Sequence, residues 1–454
     1  MEALRKILPN NAVVAAVSDA LDRLVPPHAR LVLGLSGGLD SVVLLHALLA
    51  LRDQHPFELR AVHVHHGLSP HADEWADFCA QLCAAHAVEL RIHRVQIARD
   101  DDAGIEAAAR YERHRIFSTL DVDFLLTAHH RDDQAETFLL QVLRGAGPKG
   151  LAAMAELQRR PDWRAAHLRP LLAVGRAELL AHAQAHRLDW VDDESNRDTR
   201  YRRNALRQQL MPLLTAYFPG SNATLARAAA LQADAAELLD DLAQLDAMAA
   251  IDGNRLDCAA LAGLSVPRAR NLLRHFVERH GLPMPNARQL NEALRQLLDA
   301  RHDARVCVAL GSLDVWRFRG GAYLVPAAPR PAPPVRWKGE AMLLVPSAGA
   351  TVHMDVVTGA GLKRTMLTAG DVTLGTRQGG ERLRLHAAGP HRTLKNLLQE
   401  QAIPPWERDR LPLLWCNGRL LWAAGVGIDA DAVAEPGEAG ILPRTAGYSP
   451  RSAG

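Results

Sequence analysis

Leu31-Val-Leu-Gly-Leu35 runs without a gap into Ser36-Gly-Gly-Leu-Asp-Ser41 and then Val42-Val-Leu-Leu-His-Ala-Leu-Leu-Ala50. The first block is short, apolar and uncharged, which predicts a buried strand. The last is apolar nearly all round, which predicts a buried helix from Ser41 to Ala50. The two glycines between them let the backbone turn sharply and approach a ligand closely. Their amides, with those of the first helical turn, form an anion cradle aided by the helix dipole. Ser36 and Ser41 add hydroxyl donors. Asp40 beside a phosphate makes electrostatic sense when a cation stands between them, which predicts Mg2+ bridging carboxylate and phosphates. A capped glycine turn would explain Ser-Gly-Gly alone; the whole hexapeptide, Ser36, Gly37, Gly38, Leu39, Asp40 and Ser41, between strand and helix points to a nucleotide phosphate site.

Working outward, Leu59–His65 and Phe124–Ala128 read as further buried strands and Val88–Val95 alternates with period two. Ala72–Ala87 and Ile105–Leu120 carry helical periodicity. This alternation predicts βαβ units and a parallel sheet covered on both faces, with ligands beyond the carboxyl ends of the strands. After Tyr217 the character changes. Phe218-Pro-Gly-Ser-Asn is a break, Ala223–Met248 and Val266–Ala300 read as helices, and Val306–Leu324 as strands. Five prolines between Val325 and Pro334 mark a semi-rigid linker. Beyond it, Ala341–Leu374 is β-rich, His391–Gln401 helical and Arg419–Ile428 a strand pair, with a frayed tail. The expected organisation is an α/β parallel-sheet domain over residues 1–217, a mainly helical domain over 218–334, and a small α+β C-terminal domain over 335–454.

A chain of 454 residues with 48% apolar and 23% charged residues is globular and too long for one core. A net charge of +2 excludes a global polycation, so any nucleic-acid surface is local. Five scattered cysteines predict a reducing, cytoplasmic setting and no disulfide framework. No run of about 18 apolar residues predicts a membrane span, and the first 21 residues read as a surface helix, not a signal peptide. No G-x-x-x-x-G-K-[ST] occurs, which disfavours a Walker-type hydrolase. Gly145-Ala-Gly-Pro-Lys-Gly150 matches G-x-G-x-x-G but follows a helical run, so it reads as a helix-terminating loop.

The hexapeptide resembles the PP-loop of the N-type ATP pyrophosphatases, which split ATP into AMP and pyrophosphate and adenylate an oxygen of their substrate. Further stretches narrow the likeness: His63-Val-His-His-Gly-Leu68, Ala108-Ala-Arg-Tyr-Glu-Arg113, Thr127-Ala-His-His-Arg-Asp-Asp-Gln-Ala-Glu-Thr137, Arg169-Pro-Leu-Leu172 and Asp193–Asn204. With Gly380–Arg384, Pro390–Gln399 and Ile403–Pro412, they resemble the tRNA(Ile)-lysidine synthetase family along nearly the whole chain. The resemblance implies ATP-dependent adenylation of O2 of the wobble cytidine in an isoleucine tRNA with a CAU anticodon, then attack by free L-lysine. Oligomeric state stays open, a homodimer included.

Lysine's ammonium calls for carboxylates, and Asp133 and Glu136, three apart, share one helix face; the resemblance places lysine there and adds Asp133 to Asp40 as a catalytic or metal-binding group. His129 and Asp132 lie in the strand-to-helix turn within reach of nucleotide or metal. One of Asp132 and Asp133 is expected only to cap the helix, and pairing with Glu136 favours Asp133 for function. Arg110 and Arg203 are candidates for the charge that builds on phosphate; Arg203 stands in a run, Arg197–Arg207, of five arginines against one acid. Arg377–Arg419 carries eight Lys or Arg against four acids, net +4. Within it Arg382, Arg384, Arg392 and Lys395 are the expected tRNA contacts, and Trp406 and Trp415 are either base-stacking or core. A tRNA 2-thiolation enzyme is the alternative, but no cysteine pair suits a sulfur carrier. An inactive nucleotide-sensing module sits poorly with intact Ser36, Asp40 and Ser41, and an amidating synthetase lacks a glutaminase part.

Overall fold

The computed structural model describes residues 12–97, 105–194, 198–281, 284–300, 306–327 and 332–445. Met1–Asn11, Arg197, part of the proline-rich linker and the expected frayed tail lie outside them. The chain forms two compact units, residues 1–238 and 239–454.

The first unit is built on the predicted alternation: α1 (Ala12–Leu24), β1 (Ala29–Gly34), α2 (Leu39–Ala50), β2 (Phe57–His65), α3 (Ala72–Ala85), β3 (Glu89–Arg94), α4 (Ile105–Ser118), β4 (Phe124–Leu126), α5 (Arg131–Val142), α6 (Pro148–Leu151), β5 (Leu157–Gln158), β6 (Ala166–Leu168) and α7 (Arg176–Ala185). The sheet order is β3-β2-β1-β4-β6-β5. All neighbours are parallel except β5 with β6. Side chains alternate across it as period two demands. Leu31, Leu33, Ala61 and Leu126 join the core under α1, α2 and α7. Val32, Val62 and Leu125 join Ile116, Phe117 and Trp163 on the opposite face. Both faces are therefore covered. Helix α2 is buried on nearly every side, from Leu39 to Leu48, as its unbroken apolar run requires.

The chain adds β2 and β3 on one side of β1, then returns to place β4 on the other. That reversal opens a crevice beyond the carboxyl ends of β1 and β4, where ligands of open α/β sheets bind. The loops Leu35–Gly38 and Thr127–His130 flank it. After α7 come α8 (Arg202–Ala205), a π-helical turn (Leu206–Leu210) and α9 (Met211–Tyr217). The 30-residue α10 (Ser221–Ala250) then contains the division between the units.

The second unit departs from the expected run of helices at one point. Two short strands, β7 (Ile251–Asp252) and β8 (Arg255–Asp257), precede α11 (Cys258–Ala262), α12 (Val266–Arg279) and α13 (Ala287–Asp299). They extend the expected strands β9 (Val306–Ala309), β10 (Leu313–Phe318) and β11 (Gly321–Pro326) into one antiparallel sheet, β7-β8-β11-β10-β9. The helices cover it around Phe276, Leu273 and Val315, each fully buried. A second core follows, around Leu374, Leu398, Leu414 and Trp422. It lies among β12 (Val335–Arg336), β13 (Met342–Val345), β14 (Ala350–Thr358), β15 (Leu362–Lys363), α14 (Arg364–Ala369), β16 (Val372–Gly375), the hairpin β17 (Arg382–Leu383) and β18 (Arg392–Thr393), α15 (Leu394–Glu400), α16 (Pro405–Arg408), β19 (Leu413–Cys416), β20 (Arg419–Ala423), β21 (Gly427–Ile428) and β22 (Ala439–Thr445).

Candidate active site

The Ser36–Ser41 loop is held open by its own atoms. Ser36 Oγ accepts from the Gly38 amide at 3.3 Å and lies 3.1 Å from Ser41 Oγ, which donates to the Gly38 carbonyl at 3.0 Å. Gly38 caps α2 with extended backbone and no side-chain bond. The Ser41 and Val42 amides both donate to the Gly38 carbonyl at 3.1 Å, so the amides of Leu39 and Asp40 are the ones at the start of α2 that precede any intrahelical bond and suit a ligand. Gly37 has φ +85°, and a Cβ there would meet Val191 Cγ2 at 2.9 Å and Cys79 Sγ at 3.1 Å. Only glycine fits both the conformation and the space. The Val191 amide donates to the Gly37 carbonyl at 3.0 Å, closing the loop from behind. Burial pushes the Cys79 thiol up to about 12, so this sulfur beside the loop is protonated and inert. A cavity of about 440 Å³, lined by Leu39, Leu180, Trp190, Arg176 and Asp192, adjoins the loop.

Across the crevice, the turn after β4 delivers His130 and helix α5. His130 is 1% exposed and lies among three carboxylates: Nε2 is 3.6 Å from Asp40 Oδ2 and 3.5 Å from Asp133 Oδ2, and Nδ1 is 3.7 Å from Asp132 Oδ2. Burial alone would lower its pKa, but contact with Asp40 and the charges of Asp133, Asp40 and Asp132 outweigh burial and raise it. His130 therefore lies between the loop and the start of α5, within 3.6 Å of Asp40 and 3.5 Å of Asp133. The other Asp40 oxygen, Oδ1, is buried with no hydrogen-bond partner. An orphaned carboxylate oxygen beside a phosphate cradle fits a divalent cation. Among the described residues no cluster of three or more His, Cys, Asp or Glu is arranged to hold a metal. The donor set thus suits Mg2+ carried by phosphates and one or two carboxylates, not a protein-only cage.

Asp133 and Glu136 do share one face of α5, and both are buried. They do not stand free. Arg203 donates from Nη2 to Asp133 Oδ1 at 2.9 Å and from Nε to Glu136 Oε2 at 3.0 Å. Arg207 donates to Glu136 Oε1 at 2.5 Å, Glu136 Oε2 at 2.9 Å and Asp133 Oδ1 at 2.8 Å. The two arginines are four apart, and the π-helical turn carries Arg207 onto the same pair. Burial works against the Arg207 guanidinium, but its bond to Glu136 and the charges of Glu136, Asp133 and Asp40 raise it above the ordinary arginine value. Burial likewise opposes ionisation of Asp133, yet His130, Arg203, His129 and Arg207 hold it well below the usual carboxylate range. Arg203 therefore touches both carboxylates of the expected site, and Arg207, which the sequence showed only as the end of a charge run, is its equal.

The capping assignment is reversed. Asp133 Oδ2 accepts the His130 amide at 3.0 Å and so caps α5 as well as facing the arginines. Both Asp132 oxygens meet protein: one accepts the Arg176 amide at 2.8 Å, the other the side-chain amide of Asn222. Asp132 fastens α5 to the starts of α7 and α10. His129 Nδ1 lies 2.8 Å from Thr127 Oγ1, which also contacts His167 Nε2 at 2.8 Å. His167 stacks on Trp163 at 5.6 Å, and Arg169 reaches His167 Nδ1 at 3.0 Å. Arg110, exposed on α4, adds its positive field to His114 and Arg169 in this cluster.

The expected tRNA contacts of the second unit divide. Arg384 is paired with Asp431 and Arg392 with Glu400. Arg382, whose Nη2 donates to the His391 carbonyl, and Lys395 are exposed and lack a carboxylate partner among the described residues. Arg408 is buried and donates to the Ile403 carbonyl, so it does not belong to a surface patch. Trp415 is core in β19, 8% exposed, whereas Trp406 lies in a separate aromatic group.

Three family models match the chain in succession: the PP-loop domain over residues 10–214, the TilS substrate binding domain over 256–323 and the TilS substrate C-terminal domain over 372–444. The chain is 42% identical over 400 residues to a tRNA(Ile)-lysidine synthase of Nitrosomonas europaea, covering 87% of each. It is 44% identical over 394 residues to that of an Azoarcus species, covering 87% of this chain and 86% of the relative. With that of Aromatoleum aromaticum it is 45% identical over 396 residues, covering 87% and 92%. Among the described residues no helix is long and apolar enough to cross a membrane.

Proposed function

The chain belongs to the tRNA(Ile)-lysidine synthase family, and from that premise we propose that it joins free L-lysine to C2 of the wobble cytidine of the CAU-anticodon isoleucine tRNA, using ATP and Mg2+. The single observation that carries the reading is the facing of the Ser36–Ser41 cradle by the buried Asp133–Glu136 pair through His130. One crevice thus offers a seat for phosphates and a seat for an ammonium.

The triphosphate lies on the amides of Leu39 and Asp40 at the start of α2, with the Ser36 and Ser41 hydroxyls as further donors. Bound at Asp40, Mg2+ would neutralise charge on the departing pyrophosphate. Cytosine O2 attacks the α-phosphorus and pyrophosphate leaves, giving an O2-adenylated base. The ε-amine of lysine then attacks C2, loses a proton, and AMP departs with O2. Asp133 and Glu136 orient the amino acid through an ammonium group, and Arg203 of α8 and Arg110 of α4 supply positive charge against phosphate. His129 orders the turn through Thr127, and Arg382 and Lys395 are the exposed cations offered to tRNA. The chain works as three domains, 1–217, 218–334 and 335–454, in the cytoplasm. The inert Cys79 and the absence of a paired cysteine among the described residues count against sulfur transfer.

The test is incubation of purified protein with ATP, lysine and unmodified isoleucine tRNA, followed by nucleoside mass spectrometry. The expected product is a cytidine heavier by one lysine less water, formed only when all three are present, with AMP and pyrophosphate released. A sulfur gain, or AMP formation indifferent to tRNA, overturns the reading.

A further inference from the structure

The second unit encloses a cavity of about 380 Å³, within the range of small-ligand sites. Its walls combine three kinds of chemistry. Trp406 of α16 and Trp316 of β10 supply aromatic surface; Trp406 is packed at 5.8 Å from Trp316 and 5.1 Å from Tyr323, which fixes its plane. Arg377 and Arg410 supply positive charge, and Asp314 and Asp409 supply acceptors. Arg410 is steered by donating to the Pro326 carbonyl.

Two polar atoms in this wall are unsatisfied. Arg377 Nε and Ser347 Oγ are buried without a hydrogen-bond partner. Arg377 is ion-paired at long range with Glu381, Nε to Oε2 at 3.7 Å, and with Asp409 at 3.9 Å, both beyond hydrogen-bonding distance, and Glu381 Oε2 is likewise buried without a hydrogen-bond partner. Buried polar groups are rarely left unpaired. An apolar occupant would leave them so; an occupant with an anionic oxygen would not. A flat ring also suits the indole walls, and exocyclic amino groups suit the carboxylates.

We propose that this cavity takes one unpaired nucleotide of the tRNA, its base adenine or cytosine. The base lies against Trp406, its amino group donates to Asp409 or Asp314, and its phosphate meets Arg377 and Arg410. The inference rests on the tRNA-modifying reading above for its ligand, but not on the lysine chemistry.

The test measures binding of unmodified isoleucine tRNA to the full chain across a range of salt concentrations, for the wild type, Arg377→Gln and Trp406→Phe. Arg377→Gln is expected to weaken binding about tenfold and to lower the salt dependence by about one phosphate contact. Trp406→Phe keeps an aromatic ring in the cluster and is expected to weaken binding about threefold, with unchanged salt dependence. A thermal unfolding midpoint equal to that of the wild type excludes misfolding for either variant, and Arg377→Gln alone suffices if Trp406→Phe is unstable. CMP is expected to quench tryptophan fluorescence more strongly than UMP, an effect lost in Arg377→Gln. Removing the single-stranded 3′ end that every tRNA carries asks where the nucleotide resides: loss of the Arg377 effect places it there, and its persistence places it at another unpaired position. Wild-type affinity and salt dependence in Arg377→Gln overturn the proposal. Because this readout is affinity, a chain that binds tRNA through the cavity but forms no lysidine would sink the proposed reaction and leave the cavity assignment standing.

Discussion

Arg207→Gln separates two roles for the guanidinium that lies on Asp133 and Glu136. If lysine's ammonium is to sit on these carboxylates, at least one arginine must yield. Arg207 makes three of the five hydrogen bonds that the two arginines direct at the pair, at 2.5, 2.8 and 2.9 Å. Glu136 is 2% exposed and Asp133 7%, so the loss is that of a cation over buried charge. Breaking a buried pair costs roughly 3–5 kcal/mol. Arg203 remains on both carboxylates, which reduces the figure to about 2–3 kcal/mol. In a unit of 238 residues that is a fall in Tm of roughly 4–12 °C. The same energy is what lysine must work against in the wild type. The variant is therefore expected to bind lysine at least about tenfold more tightly, equivalent to about 1.4 kcal/mol. Its turnover falls because a cation is missing when charge builds on phosphate. Calorimetric titration with lysine gives the affinity, and thermal unfolding with and without lysine gives the stability. Lysine should raise the Tm of the variant more than that of the wild type. If lysine affinity falls along with stability, Arg207 is part of the seat and not its occupant, and the reasoning fails. Asp133→Asn provides the control: loss of lysine binding there keeps the location of the seat secure whichever way Arg207→Gln turns out.

Asp40→Asn retains the shape of the loop but removes the charge of the orphaned Oδ1. Pyrophosphate release is expected to fall about 100-fold or more and its Mg2+ requirement to move to higher concentration; near-normal rates at low Mg2+ would remove Asp40 from metal binding. Burial and the neighbouring Arg169 charge push His167 down to about 2, so it stays neutral in the fold and titrates near 6.5 once unfolded. The unfolded chain then binds the extra proton, so stability falls as pH drops below about 6.5, by about 1.4 kcal/mol per pH unit from this group. Denaturant unfolding at pH 7 and pH 5 for wild type and His167→Gln checks this; an equal loss in both would clear His167 of the effect.

Some of this architecture is written locally and some is not. The Leu31–Ala50 stretch is legible because burial, turn and phosphate cradle are each decided within a few residues: apolar side chains, two glycines, two hydroxyls. The crevice follows from it once the strands alternate with helices. Strands β7 and β8 are two and three residues long, too short to show a period, so the edge of a sheet went unread in the gap between two helical stretches. Adjacent acids are equally opaque. Asp132 and Asp133 differ by one position, and only the fold decides that one faces α7 and α10 while the other faces the arginines. In the second unit, charge density overstated the surface patch because Arg384, Arg392 and Arg408 are matched by partners the composition cannot assign.

The arginine–carboxylate contact is the sharpest case. Arg203 and Arg207 lie 67 to 74 residues from the acids they meet. Spacing put Asp133 and Glu136 on one helix face, three residues apart, but it could not show which cations would face them. Burial supplies the missing step. Two carboxylates this deeply enclosed require cations at all times, so in the absence of any bound ammonium something else must carry that charge. A site that selects an ammonium by burying acids therefore needs a resident cation that can leave. Arginine suits this office: it stays charged at every accessible pH, and its flat fork moves readily to a phosphate when displaced. If lysine takes this pair as proposed, its binding and the stabilisation of charge on phosphate are coupled through one side chain, and Asp40 of the cradle is close enough to Arg207 to help raise its pKa.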